Sequence, residues 1–222
     1  MTTSGDAAQV VSLDVPQTQA AAVTLMPGAV GAHVGIRYRA DDDKLKHAHL
    51  AFHHQFTVEE NVDPAARWIV PRLSEDELSD VATSARLVAR RYVDRRIPYA
   101  FGLDDQSFED DGSLVLGHRL GLTCATFVIV LFRHAKIELV ETSTWDRCDE
   151  ARRKEDMAAH ETLLTYLEKR DADHASTVRE QGVDLTRIRA EEVAAASGLT
   201  PHPVPFDRAE RAGKALLDQS QR

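Results

Sequence analysis

"RLGLTCATFVIVLF", residues 119–132, decides how this chain is read. A polar Gly-Leu-Thr-Cys step leads straight into Phe127, Val128, Ile129, Val130, Leu131 and Phe132. A surface helix would break such a run with polar residues at each turn. One that is apolar nearly all round predicts a central helix over about 123–135, enclosed by other elements. Cys124 stands in its first turn. A thiol attacks carbonyls only as thiolate, and two features lower its pKa: the positive end of a helix dipole and a neighbouring imidazolium. The helix start supplies the first. On composition alone a cysteine bordering a core helix is read as packing; a histidine within reach reverses that reading.

Histidines are at hand. "AVGAHVGIRYR" (29–39) and "KHAHLAFHHQF" (46–56) are extended runs rich in β-branched and aromatic residues, and "ADDDKL" (40–45) supplies a turn between them. The pair reads as an antiparallel hairpin. Alternate strand residues share a face, so His47, His49 and His53 are expected on one face and His54 on the other. Pairing about the turn brings His33 near His49 or a few residues beyond. Two imidazoles that meet across a hairpin suit a base and the partner that fixes its tautomer.

Upstream, residues 1–20 are small, polar and uneven, and read as a loose leader. "SEDELSDVATSARLVARRYVDR" (74–95) is the clearest helix: Ser74 with Glu77 forms a capping box, and Leu78, Val81, Ala85, Val88 and Tyr92 recur at helical spacing. "RIPYAFGLDDQSFEDDGSLVLGHRLG" (96–121) reads as a Pro/Gly/Asp-rich loop with a short extended piece, and "FEDDG" within it as an exposed acidic turn. Beyond 149 the stretches 150–170 and 184–198 are amphipathic helices, the second closed by Gly198. "LTPHPVPF" (199–206) then breaks the chain before a last helix over 207–218. The expected organisation is a leader over 1–20, a core domain over 21–148 and a helical extension over 149–222. Trp68 and Trp145 are read as core residues.

The chain has 222 residues, 43% hydrophobic and 28% charged, ample for a real core. A net charge of -9 argues against nucleic acid or an anionic membrane surface as partner. No apolar stretch approaches the roughly 20 residues of a membrane span, and the start lacks the blocks of a secretory signal, so a cytoplasmic protein is expected. Cys124 and Cys148 are too few for a disulfide framework and are expected as reduced thiols. His47, His49, His53 and His54 offer zinc its commonest nitrogen ligand. A bare His-x-His-x-x-x-His strand lacks the carboxylate or distant fourth ligand of a metal signature, and no metal is expected.

Three segments together resemble a known superfamily. "HVGIRYRADDDKLKHAHLAF" (33–52) resembles the hairpin of the NlpC-type cell-wall peptidases, whose "HVGIY" strand carries the catalytic histidine. "IPYAFG" (97–102) resembles their "PYVWGG" loop. "GLTCATFVIVLF" (121–132) resembles their "DCSGFV" helix start and the "NCEHFV" segment of the lecithin:retinol acyltransferase group, whose second strand "HLA" at 49–51 also matches. Here the histidine precedes the cysteine, which is the order of the circularly permuted branch that includes the acyltransferase group.

The resemblance covers roughly residues 29–145. It implies an α+β, permuted papain-like fold in which a small antiparallel sheet packs on the Cys-bearing helix, followed by a helical C-terminal extension. It makes Cys124 the nucleophile, His33 the general base and His49 its orienter, with His47 a second claimant to the orienting role, and Tyr99, Thr123 and His47 are expected at the substrate site. Tyr99 lines the cleft. Thr123 stands where the family has aspartate and Ala125 where it has another small residue. The implied activity is a cysteine-dependent acyl-group hydrolase, an amidase, peptidase or isopeptidase acting through a thioester on a small-molecule, peptide or acyl substrate, with no cofactor. The alternatives are a thiol acyltransferase and a non-catalytic binding or accessory protein that keeps the fold.

Overall fold

A helix that is apolar nearly all round cannot be enclosed unless strands and helices approach it from several directions. The computed structural model, which describes residues 19–28, 31–93, 95–117, 120–180 and 187–220, shows how they do. The chain is α+β. Five antiparallel strands, β1 (Ala21–Gly28), β2 (Gly31–Arg39), β3 (Leu45–Phe52), β4 (Gln55–Glu59) and β5 (Arg67–Ile69), form a sheet in the order β4-β3-β2-β1-β5. Helix α1 (Glu75–Tyr92) follows, then a two-residue-strand hairpin of β6 (Ser107–Phe108) and β7 (Leu114–Val115). Helix α2 (Cys124–His134) is the buried one, with Phe127 to Phe132 fully enclosed. After a 3-10 turn over Thr142–Arg147 come α3 (Glu150–Glu168), α4 (Ala172–Glu180), α5 (Ala190–Ser197) and α6 (Phe206–Ser220).

Strand alternation sorts the sheet into two faces. Val23, Leu25, Val34, Ile36, Ala48, Leu50 and Ile69 share one face and are all buried. Helices α1, α2 and α5 pack on that side. The opposite face carries Thr24, Gly35, Arg37, His47 and Trp68, with the Arg37 guanidinium 4.7 Å above the Trp68 ring.

Several sequence expectations are met. Helix α1 begins at a Ser74–Glu77 capping box, and Leu78, Val81, Ala85 and Val88 are buried. Gly198 closes α5, and Trp68 and Trp145 lie in the core. Among the described residues no helix is long and apolar enough to cross a membrane. The leader expected over 1–20 lies, up to residue 18, outside the described residues.

Several features differ: β5 and α4 were not expected, and the helix expected over 184–198 is α5, which begins at Ala190. Strand β1 was not expected, and it sits between β2 and β5. The run 46–56 is not one strand: it breaks at His53–His54, a tight turn with His54 at φ 59°, into β3 and β4. His53 therefore leaves the face shared by His47 and His49. The C-terminal helices contribute to one continuous apolar cluster with the sheet; α5 packs on β1, β2 and α2, and Val140 bridges to Val204.

A buried ionic knot joins α3, α5 and α6. Arg152 on α3 pairs with Glu192 on α5, reaches the Arg187 carbonyl at 2.8 Å and lies 4.8 Å above the Phe206 ring. Glu192 also accepts from Trp145 Nε1 at 3.3 Å. Removing one member of such a pair strands the other charge away from water. Arg152→Ala is expected to destabilise the protein by about 3–5 kcal/mol, read as a lowered urea midpoint.

Candidate functional site

A fully enclosed helix must satisfy its first N–H groups without water, and α2 does so with two threonines. The Thr126 N–H donates to Thr123 Oγ1 at 3.1 Å, and the Thr123 N–H donates to Thr126 Oγ1 at 2.7 Å. This reciprocal cap fixes Cys124 as the first residue of the helix, only 8% exposed. The Thr123 hydroxyl is committed to the cap. Burial pushes the Cys124 thiol above its ordinary pKa; the Val34 N–H, the Arg187 guanidinium and the Ala125 N–H pull the other way. The Tyr99 hydroxyl sits against the Cys124 thiol and its backbone N–H, and burial, then this sulfur, raises its pKa.

On the sheet, β2 and β3 pair from Arg39↔Leu45 up to Ile36↔Ala48 and no further. Past that point His33 and His49 meet directly, His33 Nε2 to His49 Nδ1 at 2.6 Å. His47 stacks on His49 at 4.8 Å between ring centroids, and its Nε2 reaches the Thr24 hydroxyl on β1 at 2.7 Å. Gly35 lies between them on β2. A Cβ there would come within 2.3 Å of His47 Nε2 and 2.9 Å of His49 Cβ, so only glycine lets the rings lie across that strand. From β4, opposite His47, Glu59 Oε1 stands 3.3 Å from His47 Nδ1 and 3.4 Å from His49 Nε2. Burial, reinforced by the neighbouring His49, lowers the pKa of His33 to about 4. Burial also leads in lowering His47, to about 2, and His49.

Cys124, His33, His49 and Tyr99 line one cavity of about 510 Å³ at this end of the sheet. Phe52 and Phe101 make it apolar, α3 contributes Leu163, Thr162 and Tyr166, and Arg187 brings a positive charge. Among the described residues no hydrogen bond joins the sulfur to an imidazole. The predicted set is thus divided. Cys124, His33, His49 and Tyr99 face one space, whereas His47 lies fully buried behind His49 and Thr123 serves the helix start. Cys148 is a second buried free thiol away from this cavity.

Sequence reasoning missed Glu59, Arg187 and the α3 wall. Glu59 was recoverable from the His53–His54 turn, since folding the run there sets 59 opposite 47. Arg187 and α3 come from a distant part of the chain and carry no local signal. Comparison with known proteins finds no matching family model, no matching curated protein and no matching solved structure.

The Tyr99 loop is held by His53, which the sequence had grouped with the strand, and by His174 of α4. The Tyr99 N–H donates to His53 Nδ1 at 3.2 Å, His174 Nε2 contacts the Tyr99 carbonyl at 3.0 Å, and the two rings stack at 4.8 Å. Because His53 Nδ1 accepts, its proton resides on Nε2, which donates to Asp171 Oδ2 at 3.3 Å. Burial, aided by His54, lowers the His53 pKa to about 4. Above the unfolded value of 6.5 the ring is neutral in both states and this arrangement is fully stabilising. As pH falls from 6.5 toward 4, only the unfolded chain takes the proton, and stability drops. His53→Asn, which keeps an acceptor but does not titrate, should flatten the decline of the urea midpoint across that window.

Proposed function

We propose that the protein is a cysteine-dependent acyl-group hydrolase, acting on an amide, isopeptide or ester through a Cys124 thioester, and that its sheet and α2 correspond to the permuted papain-like arrangement. The observation that carries this reading is the 2.6 Å bond between His33 and His49 in the wall of the cavity that also receives Cys124. Paired imidazoles beside a helix-start thiol are the parts that nucleophilic acyl transfer requires.

The tautomers follow from the carboxylate. Glu59 accepts from His49 Nε2–H, leaving His49 Nδ1 to accept from His33 Nε2–H, so His33 Nδ1 holds a free lone pair. The resting sulfur is a thiol rather than a thiolate, since burial raises its pKa and keeps the rings neutral. Proton transfer to His33 therefore accompanies sulfur attack on the carbonyl, with the thiol–imidazole contact closing when substrate is bound. The Tyr99 hydroxyl, already against the Cys124 N–H, is the donor nearest the developing oxyanion. His33 returns its proton to the leaving amine or alkoxide, then deprotonates the water that cleaves the thioester. Phe52, Phe101 and Leu163 fit an apolar acyl chain, and Arg187 a carboxylate on it.

A second reading rests on the same raised thiol pKa: a binding protein that holds an apolar carboxylate without turnover. Nitrophenyl esters of medium-chain acids separate the two. Turnover should vanish in Cys124→Ala, fall by about 10²–10⁴-fold in His33→Ala, and be accompanied by an acyl adduct on Cys124 in intact-mass spectra. Saturable binding of the free acid, with no adduct and with any residual ester cleavage unchanged in Cys124→Ala, would establish the binding protein instead.

A further inference from the structure

The cluster behind the cavity has a geometry that thiol chemistry does not require. We propose that His47 Nδ1, His49 Nε2 and Glu59 Oε1 form a binding site for a divalent transition-metal ion of the zinc type. The sequence offered histidines without a carboxylate; the β3–β4 register supplies one, because His47 pairs with Glu59. The three ligand atoms lie within 4.8 Å of one another. Glu59 Oε1 is 3.3 Å from one ring nitrogen and 3.4 Å from the other. Tetrahedral coordination with arms of about 2.0–2.1 Å separates its ligands by about 3.3 Å, so two of the three edges are already set.

Outer contacts strengthen the assignment. A ligating imidazole needs its second nitrogen held by another group, which fixes the tautomer and the ring plane. His47 Nε2 has the Thr24 hydroxyl at 2.7 Å, and His49 Nδ1 has His33 Nε2 at 2.6 Å; both partners can accept. Gly35 clears the space in which the rings lie. Glu59 is 39% exposed at its side chain, which opens the site to ions from solvent and leaves a fourth position for water. Two neutral nitrogens and one carboxylate suit zinc or cobalt better than calcium or magnesium, which prefer oxygen.

A second cluster, His53, His54 and Asp171, has similar spacing and fails on chemistry. His53 Nδ1 accepts the Tyr99 N–H, so Nε2, the atom facing Asp171, already carries the proton and has no lone pair to give.

This inference does not rest on the acyl-hydrolase reading, although both draw on His49 Nε2, and its test reads the metal alone. The full chain, untagged and stripped with a chelator, is titrated with Co²⁺ and then Zn²⁺. One equivalent of Co²⁺ with the visible absorption of a four-coordinate ion, displaced by Zn²⁺, is expected in the parent protein and equally in Cys124→Ala and His53→Asn. The signal should disappear in His49→Ala and fall at least about 10-fold in affinity in Thr24→Val, which removes only an outer contact. Glu59→Gln, a change at a partly exposed position, keeps the side chain's size and guards against loss by misfolding; circular dichroism confirms its fold. Binding that persists in Glu59→Gln and in His49→Ala, or that is lost in His53→Asn, overturns the assignment, as does the absence of Co²⁺ binding to the parent.

Discussion

A helix with no polar side has to be walled on every side, and α2 imposes that requirement on the whole chain. Phe127 through Phe132 have no exposure, so no face of the helix is available to water. The sheet covers one flank through β2 and β3, α1 another, and α5 a third. A β-sheet and one N-terminal helix could not close that space, which is why α5 returns to pack on both α2 and β2. The Arg152–Glu192 knot then fastens α3 to α5. Because Thr123 and Thr126 are themselves buried, the cap at the helix start is internal, and it fixes Cys124 at the cavity's edge. The thiol's position follows from solving a backbone hydrogen-bond problem.

The histidine row depends on a second, smaller constraint. Three rings on adjoining strands need more room than a pleated sheet gives, and the room comes from Gly35. With no side chain there, His47 reaches across β2 to Thr24 on β1, and His49 stands beside it to meet His33 and Glu59. The same face holds Arg37 away over Trp68. One glycine thus permits a polar row in which each of the two neighbouring rings has a partner at both nitrogens.

How much of this could be read in advance varied with the range of the cause. Helix α1 was legible because its cap and its apolar spacing are local, and α2 because nothing but burial explains six consecutive apolar residues. The meeting of His33 and His49 was legible because a hairpin's arithmetic needs only its turn. Strand β1 was not: Ala21 to Met26 is buried on both sides, so it lacks the alternation that marks a half-exposed strand, and its small residues join smoothly to the leader. The break at His53–His54 was missed because the turn carries no glycine or proline; His54 adopts a positive φ unaided by either. That one omission hid β4, and with it Glu59. Arg187 and the α3 wall were beyond reach for a different reason, since they meet the cavity only through long-range packing. The superfamily resemblance spoke for Cys124, His33 and His49, and was silent on both.

The two proposals meet on a single ring, and the chemistry of imidazole sets the terms. In the proposed hydrolase, His49 must donate its Nε2–H to Glu59 so that Nδ1 can accept from His33, which leaves His33 with a lone pair on Nδ1. With an ion on Nε2, the remaining His49 proton sits on Nδ1 and points at His33 Nε2. His33 can then accept only there, and its own proton moves to Nδ1. A neutral imidazole in that tautomer donates and cannot take the Cys124 proton. Both states use the same hydrogen bond, in opposite directions. If both proposals hold, a bound ion and a working base exclude each other, and the 2.6 Å contact between His33 and His49 is the point at which one gives way to the other.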